Sequence, residues 1–320
     1  MSRRMRVILV GAVAAAAALA VAAGAALVGR NNGSDERPKG APPFVVDVGV
    51  RTDAEARALR RAARAFGTDE RERAGRILAG RTSLQAQVGR ALAAWPDQSL
   101  ARLEKLALEH PRSGAVLFHL GLARFWDGDR ATAIRAWQET RARDPDSAYA
   151  IRASDLLFRN FPPGLPTFIP SFRPEPGLNG LSPARQLAVL ERRARGSNVR
   201  AKLLYGLALQ RLERPVSARR EYAAAARLAP SNPEALVADA VGRFDKAKPS
   251  RAFSRLGPLT RRFPRAATVR FHLGVLLLWL GQVDEARRQL RLARASDRRG
   301  VLATEASRLL TRLEDVRKPR

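Results

Sequence analysis

The chain has 320 residues and no cysteine, which excludes disulfides, thiolate metal sites and cysteine nucleophiles. Aromatic residues make up only 6% of it and alanine is abundant, a composition that favours closely packed helices over a β-sandwich. The formal net charge of +28 comes almost entirely from arginine. Such a charge is typical of polyanion-binding proteins, but arginines spread along the chain, as here, are also typical of solvent-facing helix surfaces.

The N-terminus has the pattern of a membrane segment. Residues 1–6 form a basic stub with three arginines, residues 7–28 carry no charge, and Arg30 follows. About 20 apolar residues span a bilayer core, so the uncharged run has the length of a transmembrane helix, although its small residues would also suit a cleaved signal peptide. The leading arginines favour a cytoplasmic N-terminus. The sequence therefore predicts a single-pass anchor or signal segment, with the rest of the chain outside the cytoplasm.

Two short regions connect this segment to the rest of the chain. Residues 31–43 are rich in glycine, proline and charge, which predicts a flexible linker. Residues 44–79 are predicted to contribute helices that cap the N-terminal side of the domain, and they show no clear repeat pattern.

From residue 80 onward a pattern recurs every 34 residues. In three consecutive blocks, 199–232, 233–266 and 267–300, position 8 is small, position 20 is alanine and position 24 is bulky. Block 114–147 fits the same register, and block 80–113 is a degenerate copy of it. The residues at positions 8, 20 and 24 are Gly121, Ala133 and Trp137, then Gly206, Ala218 and Tyr222, then Ala240, Ala252 and Leu256, and finally Gly274, Ala286 and Leu290.

This pattern resembles the tetratricopeptide repeat, a 34-residue pair of antiparallel helices with small residues at positions 8 and 20 and proline at position 32. The resemblance implies an all-α fold, a right-handed superhelical solenoid of about six helix pairs that follows the N-terminal transmembrane helix. The small residues let the two helices approach closely, the bulky residue at position 24 fills space between repeats, and proline ends the second helix. We expect two repeats in 80–147, one in 148–198, three in 199–300, and a capping helix and tail in 301–320.

The block at 148–198 is 17 residues too long for the period. The tetrapeptide FHLG occurs at Phe118–Gly121 and at Phe271–Gly274, 271 − 118 = 153 residues apart, and 153 − 17 = 136 is four periods. The excess coincides with the proline-rich insertion 162–180, which cannot be helical. The insertion is either a surface decoration or an extended arm that covers a neighbouring groove or docks on a partner. Its apolar anchors would be Phe168, Ile169 and Phe172.

In the family, positions 2, 5, 9, 12 and 13 of the first helix tend to face the concave groove. The resemblance therefore implies a partner-binding groove that contains Phe118, Leu122, Phe125, Trp126, Arg200, Leu203, Gln210, Arg211, Phe271, Val275, Leu278 and Trp279. Two apolar stretches with a more basic one between them would suit an extended peptide or a helix of a partner. The alternative interpretation is that the aromatic residues pack against adjacent helices or under the insertion.

The sequence contains no catalytic, cofactor-binding or metal-binding pattern. His119 and His272 both occupy position 6 of a first helix, in repeats too far apart to share a metal ion. GxSxG, GKS, GKT and HExxH motifs are missing. We therefore expect a membrane-tethered scaffold outside the cytoplasm that binds a protein or peptide partner, not an enzyme and not a nucleic-acid-binding protein. The alternative function is a basic envelope protein that contacts acidic wall polymer, anionic lipid or nucleic acid.

Overall fold

A computed structural model describes residues 38–174 and 176–315, and the regular secondary structure of these ranges is entirely helical. The all-α prediction is thus confirmed for the described part of the chain. The predicted anchor at 7–28 lies outside these ranges, and none of the described helices has the length and apolar character needed to cross a membrane. The chain divides into two compact units, one ending at Arg159 and the other beginning at Asn160.

The first unit contains seven of the described helices, α1 to α7. They are α1 (Ala54–Gly67), α2 (Arg71–Leu78), α3 (Leu84–Ala93), α4 (Ser99–Glu109), α5 (Gly114–Asp127), α6 (Arg130–Arg143) and α7 (Ala148–Leu157). Each helix packs on the next, and α1, α3, α5 and α7 also contact one another in succession. The first helices of successive pairs therefore form one continuous layer in this unit.

The second unit has the same organisation. It contains a short 3₁₀-helix (Pro176–Leu178), α8 (Pro183–Ala194), α9 (Val199–Arg211), α10 (Pro215–Leu228), α11 (Pro233–Val241), α12 (Ser250–Arg262), α13 (Ala267–Trp279), α14 (Val283–Ser296) and α15 (Val301–Asp315). The first helices α9, α11, α13 and α15 contact one another in succession, as in the first unit. The last helix, α15, buries Leu302, Ala306 and Leu310 in a cluster with Leu290 and Ala293 of α14.

Side-chain caps fix where most of these first helices begin. A serine, asparagine or aspartate precedes the helix, and its side-chain oxygen accepts a hydrogen bond from a backbone N–H of the first turn, which would otherwise have no partner. The caps at the first helices are Asp53, Ser83, Ser113, Ser147, Asn198 and Asn232.

Glycine at position 8 makes room for the bulky residue at position 24 of the same repeat. A Cβ atom added to these glycines would lie 2.4 to 2.9 Å from that side chain, closer than real Cβ contacts. The pairs are Gly121 with Trp137, Gly206 with Tyr222, and Gly274 with Leu290. The residue at position 24 therefore packs first on the other helix of its own repeat, and does not simply fill the space between repeats as the sequence pattern implied.

The structure of residues 44–79, which were predicted to form capping helices, differs from that prediction in its first ten residues. Residues 44–53 are not helical, because α1 begins only at Ala54, behind the cap of Asp53. Phe44 and Val48 are nevertheless buried in the core of the first unit. An extended piece of chain is thus packed where capping helices were expected.

Candidate functional site

In each unit an extended segment of the chain lies against the layer of first helices. The segments are residues 44–48 in the first unit and residues 165–172 in the second, and neither contains a helix. Polar side chains of the repeats bind the backbone of each segment. Backbone N–H and C=O groups that are taken from water need such partners, and an extended segment outside a sheet has no neighbouring strand to supply them.

Three side chains hold the segment of the first unit. The N–H of Val45 donates to Nε2 of His119 at 3.0 Å. The amide of Gln85 binds both backbone groups of Asp47, since Oε1 accepts from its N–H at 3.0 Å and Nε2 donates to its C=O at 2.8 Å. The hydroxyl of Tyr149 donates to Oε1 of Gln85 at 3.0 Å and accepts from the N–H of Asp47 at 3.2 Å.

The same three residue types appear at the segment of the second unit. The N–H of Ile169 donates to Nε2 of His272 at 2.9 Å. The side-chain amide of Gln210 again binds the backbone both as acceptor and as donor. Its Oε1 accepts from the N–H of Phe168 at 3.1 Å, and its Nε2 donates to the C=O of Pro166 at 2.9 Å. A tyrosine hydroxyl, here of Tyr222, donates to Oε1 of this glutamine at 2.9 Å.

Two further groups hold the insertion in the second unit. The N–H of Ser171 donates to the carboxylate of Glu234, 3.3 and 3.4 Å from its two oxygens. Burial raises the pKa of this Glu234 carboxyl. At the start of the insertion, the buried Lys246 donates to the C=O of Pro162 at 2.6 Å, and its Nζ lies 5.5 Å from the centre of the Trp279 ring.

Each histidine is fixed in the tautomer that accepts at Nε2. Nδ1 lies 2.6 Å from the C=O of Ala115 in His119 and 2.7 Å from the C=O of Thr268 in His272, so Nδ1 carries the proton and donates one turn back along the helix. Both imidazoles are fully buried, and this burial lowers the pKa of each to about 4. The histidines are therefore neutral at physiological pH, with Nε2 free to accept from the segment.

A phenylalanine of each segment packs on the same histidine. The ring centres of Phe44 and His119 are 5.7 Å apart, and those of Phe168 and His272 are 5.1 Å apart with the rings nearly parallel. Phe168 is fully buried and also contacts Tyr222, with a ring-centre distance of 5.5 Å. In both segments the residue after this phenylalanine supplies the N–H that the histidine accepts.

Most of the groove residues predicted in the first unit contribute to its core. Phe118, Leu122 and Trp126 are buried in one cluster with Trp137, and Phe125 is half-buried. The guanidinium of Arg159 lies 5.9 Å from the centre of the Phe125 ring. These four aromatic and aliphatic residues thus pack against neighbouring helices and do not form an open surface.

The groove residues predicted in the second unit fall into two groups. Leu203 and Phe271 are buried, Arg211 is half-buried with its pKa lowered by burial, and Trp279 packs edge-on against Phe244 at 5.6 Å. The other four lie near the insertion: Gln210 binds its backbone, exposed Arg200 lies 4.4 Å from the centre of the Phe172 ring, and Val275 and Leu278 pack on the same buried cluster as Ile169. The structure therefore brings the three predicted anchors of the insertion together with these four residues.

Sequence reasoning missed five residues that bind the segments. Position 6 of the first helices, which was not among the predicted groove positions, holds Gln85, His119 and His272. Position 2, which was among them, holds Tyr149 and Glu234, two residues that the prediction did not name. The repeated tetrapeptide FHLG was the available signal, because it places a polar imidazole in an otherwise apolar helix twice. In the described ranges, no three His, Asp or Glu side chains come together in a way that would hold a metal ion.

Comparison with known proteins points to the same repeat. Residues 115–147 match the family model described as the tetratricopeptide repeat. No curated protein matches the chain.

Solved structures similar to the chain are distant in sequence. They include yeast Tom70 (13% identity, TM-score 0.31, covering 82% of this chain and 55% of that one), a monomeric mutant of IFIT1 with Gppp-AAAA (15%, 0.33, 82% and 63%) and the APC/C hetero-tetramer Cut9–Hcn1 (14%, 0.32, 80% and 55%). The chain thus spans 55% to 63% of the length of these proteins. The tetratricopeptide repeat model is thus matched at residues 115–147, which contain the helix pair α5 and α6.

Proposed function

We propose that this protein is a membrane-tethered scaffold for protein–protein interaction that binds an extended segment of a partner against its first-helix layer. Tetratricopeptide repeats are typical of interaction scaffolds and generally not of enzymes. The observation that carries the proposal is that each unit already holds an extended segment by its backbone, through a histidine and a glutamine, and that a tyrosine hydroxyl donates to the glutamine in both.

The chemistry of these contacts suits a peptide partner. Main-chain hydrogen bonds supply affinity for any extended chain, and side-chain pockets next to them supply specificity. In the second unit Gln210 and His272 provide the backbone contacts, and Val275 and Leu278 provide an apolar contact beside them. A partner segment that presents N–H, C=O and apolar groups in the same order would be held in the same way.

The tether and its location are part of the proposal and rest on the pattern of residues 7–28. The full chain is expected in the membrane fraction, resistant to extraction by salt and alkali, and a chain that lacks residues 1–30 in the soluble fraction. A protease added outside intact cells should cleave the repeats. Repeats that are cleaved only after the cells are lysed would contradict a location outside the cytoplasm.

Photo-crosslinking in the native membrane tests partner binding. The crosslinking residue replaces Arg200, which is exposed at the edge of the second site. Crosslinked partners are identified by mass spectrometry for the otherwise unchanged chain, for Gln210→Ala and His272→Ala, and for the control His110→Ala, which changes an exposed histidine that belongs to neither site. We expect the same partner to be lost in both site variants and kept in the control.

The opposite pattern would favour the alternative function. Capture that survives Gln210→Ala and His272→Ala but falls steeply between low and moderate salt is the behaviour of a basic protein on a polyanion. That result would contradict the peptide-binding scaffold.

A further inference from the structure

We infer that the second unit binds a partner segment of sequence Pro-x-Phe-(Val/Ile), in competition with its own residues 165–172. This inference rests on the proposed function and names the ligand of its site. Its basis is that in each unit, taken alone, a histidine contacts the Phe-(Val/Ile) pair of such a sequence, and a glutamine that accepts from a tyrosine hydroxyl binds the backbone of the same segment.

Duplication of one repeat does not account for the match between the two sites. The glutamine stands at position 6 of its repeat in the first unit (Gln85) and at position 12 in the second (Gln210). The tyrosine belongs to a first helix in one case (Tyr149 of α7) and to a second helix in the other (Tyr222 of α10). The histidine stands at position 6 in both units, but different places in the repeat supply the glutamine and the tyrosine. What the two arrangements also share is the extended backbone that they bind.

The sequence around the histidine contact is also shared. Phe44-Val45, preceded by Pro42-Pro43, corresponds in the second unit to Phe168-Ile169, preceded by Pro166-Thr167. The aromatic ring lies on the histidine in both, and the β-branched residue after it gives its N–H to Nε2 of that histidine.

Each position of this sequence has a physical requirement at the second site. Phenylalanine is required because Phe168 is enclosed without exposure between Tyr222 and His272. The next residue must have an N–H, which excludes proline, and a β-branched side chain favours the extended backbone. The proline two residues before the aromatic fixes the backbone where Gln210 donates to the C=O of Pro166.

Competition follows from the connectivity of the segment. Residues 165–172 lie in a non-helical insertion, so they can leave the site without the unfolding of a helix. A segment that belongs to the same chain has a high effective concentration at its site, on the order of millimolar for a short tether, so a free peptide binds the intact chain more weakly than a chain whose own segment is disabled. The site is therefore occupied at rest and opens to a partner of sufficient affinity or local concentration.

Peptide binding to the full chain in detergent tests this inference. The probe is a fluorescent peptide, GLPTFIPSF, which copies residues 164–172. Phe168→Ala removes the buried anchor of the chain's own segment, and Thr167→Ala is the matched control one residue away. We expect Phe168→Ala to bind the probe at least about tenfold more tightly than either the unchanged chain or Thr167→Ala.

Two altered probes test the mode of binding. Replacing the phenylalanine of the probe with alanine removes the buried ring, and N-methylation of its isoleucine removes the N–H that His272 accepts. Each change should weaken binding to Phe168→Ala at least about tenfold. Equal binding of all three probes would show non-specific adsorption and overturn the inference.

A second measurement on the unchanged chain covers the case in which Phe168→Ala loses helicity. Excess unlabelled probe should speed the amide hydrogen exchange of the chain's own residues 165–172 and leave helix α13 unaffected. No acceleration, or no binding to a helical Phe168→Ala chain, overturns the inference.

Light scattering tests whether a second copy of the chain occupies the site instead. If the unchanged chain is a dimer and the probe dissociates it, the ligand of the site is a second copy, and this result also overturns the inference. The crosslinking experiment reports separately on the proposed function, because it does not depend on which sequence the partner presents.

Discussion

The backbone N–H of Ile169 donates a 2.9 Å hydrogen bond to Nε2 of His272, which lies 103 residues further along the chain. In the first unit, the N–H of Val45 makes the same contact with His119 at 3.0 Å. Both histidines belong to the tetrapeptide FHLG, and both are locked by a bond from Nδ1 to the preceding turn of the helix. The repeated tetrapeptide therefore marks two places where the repeats bind an extended backbone.

Removing one of these imidazoles should destabilise its unit. His272→Ala leaves the N–H of Ile169 without its acceptor and opens a cavity beside Phe168, so we expect the free energy of unfolding to fall by about 2 to 4 kcal/mol. Urea unfolding measures the change. His110→Ala, on an exposed histidine, should change the value by no more than about 0.5 kcal/mol. Equal free energies of unfolding of the two variants would show that the contact between His272 and Ile169 does not stabilise the unit.

Acid should weaken the fold through the same two histidines. Burial lowers the pKa of His119 and of His272 to about 4, against about 6.5 in an unfolded chain. The unfolded state therefore binds more protons between these values, so the stabilisation is complete above pH 6.5 and is lost as the pH falls towards 4. At about 1.4 kcal/mol per pKa unit, each histidine accounts for up to about 3 kcal/mol.

A double variant isolates this contribution from that of the carboxylates. Urea unfolding is measured at pH 7.5 and pH 4.5 for the unchanged chain and for His119→Gln/His272→Gln, in which neither site titrates. The difference in free energy of unfolding between the two pH values should be smaller in the double variant by several kcal/mol. An identical difference in both proteins would contradict the assignment of the two neutral imidazoles.

The contact between positions 8 and 24 should not tolerate an added methyl group. In Gly206→Ala the new Cβ would lie 2.5 Å from the ring of the fully buried Tyr222, whose hydroxyl is also bonded to Gln210. Overpacking of this kind costs about 1 to 3 kcal/mol. Thermal unfolding followed by circular dichroism measures it.

Gly257→Ala is the matched control for this helix substitution. Gly257 lies inside α12, and a Cβ added there meets no atom of another element within 4 Å. Alanine should therefore be close to neutral, because its better helix propensity is opposed by the restriction that Pro258 places on the residue before it. The prediction is wrong if both alanine variants unfold at the same temperature.

The buried ammonium of Lys246 should fix the start of the insertion. Lys246→Met keeps the aliphatic stem but loses the bond to the C=O of Pro162 and the contact with Trp279. We expect faster proteolytic cleavage around residues 160–165 and a fall of about 1.5 to 3 kcal/mol in the free energy of unfolding, the range for hydrogen bonds to charged groups. Lys248→Met changes an exposed neighbour and should leave the cleavage rate unaltered.

The repeat register could be predicted because it depends on contacts that are close in sequence. Gly206 and Tyr222 are 222 − 206 = 16 residues apart, so the same small and bulky types recur in each block and reveal the helix pair. The alanine at position 20 is a third recurring residue that defines the register, since a larger side chain there would separate the two helices.

The segments could not be predicted because their contacts join distant parts of the chain. Asp47 meets Gln85 and Tyr149 across 38 and 102 residues, and a hydrogen bond to the backbone places no demand on the identity of the residue that is bound. Nothing in the pattern at 44–48 therefore distinguishes it from a linker or from the start of a helix. The conformation of the insertion could be predicted better, because its prolines exclude a helix and its aromatic residues are expected to pack against other residues.

Amide hydrogen exchange by NMR at Val45 and Ile169 shows whether both units bind an extended segment by its backbone. We expect both amides to exchange at least about 100-fold more slowly than in an unstructured chain, and His119→Ala and His272→Ala each to remove the protection in its own unit only. Exchange of either amide at the rate of an unstructured chain would contradict this expectation.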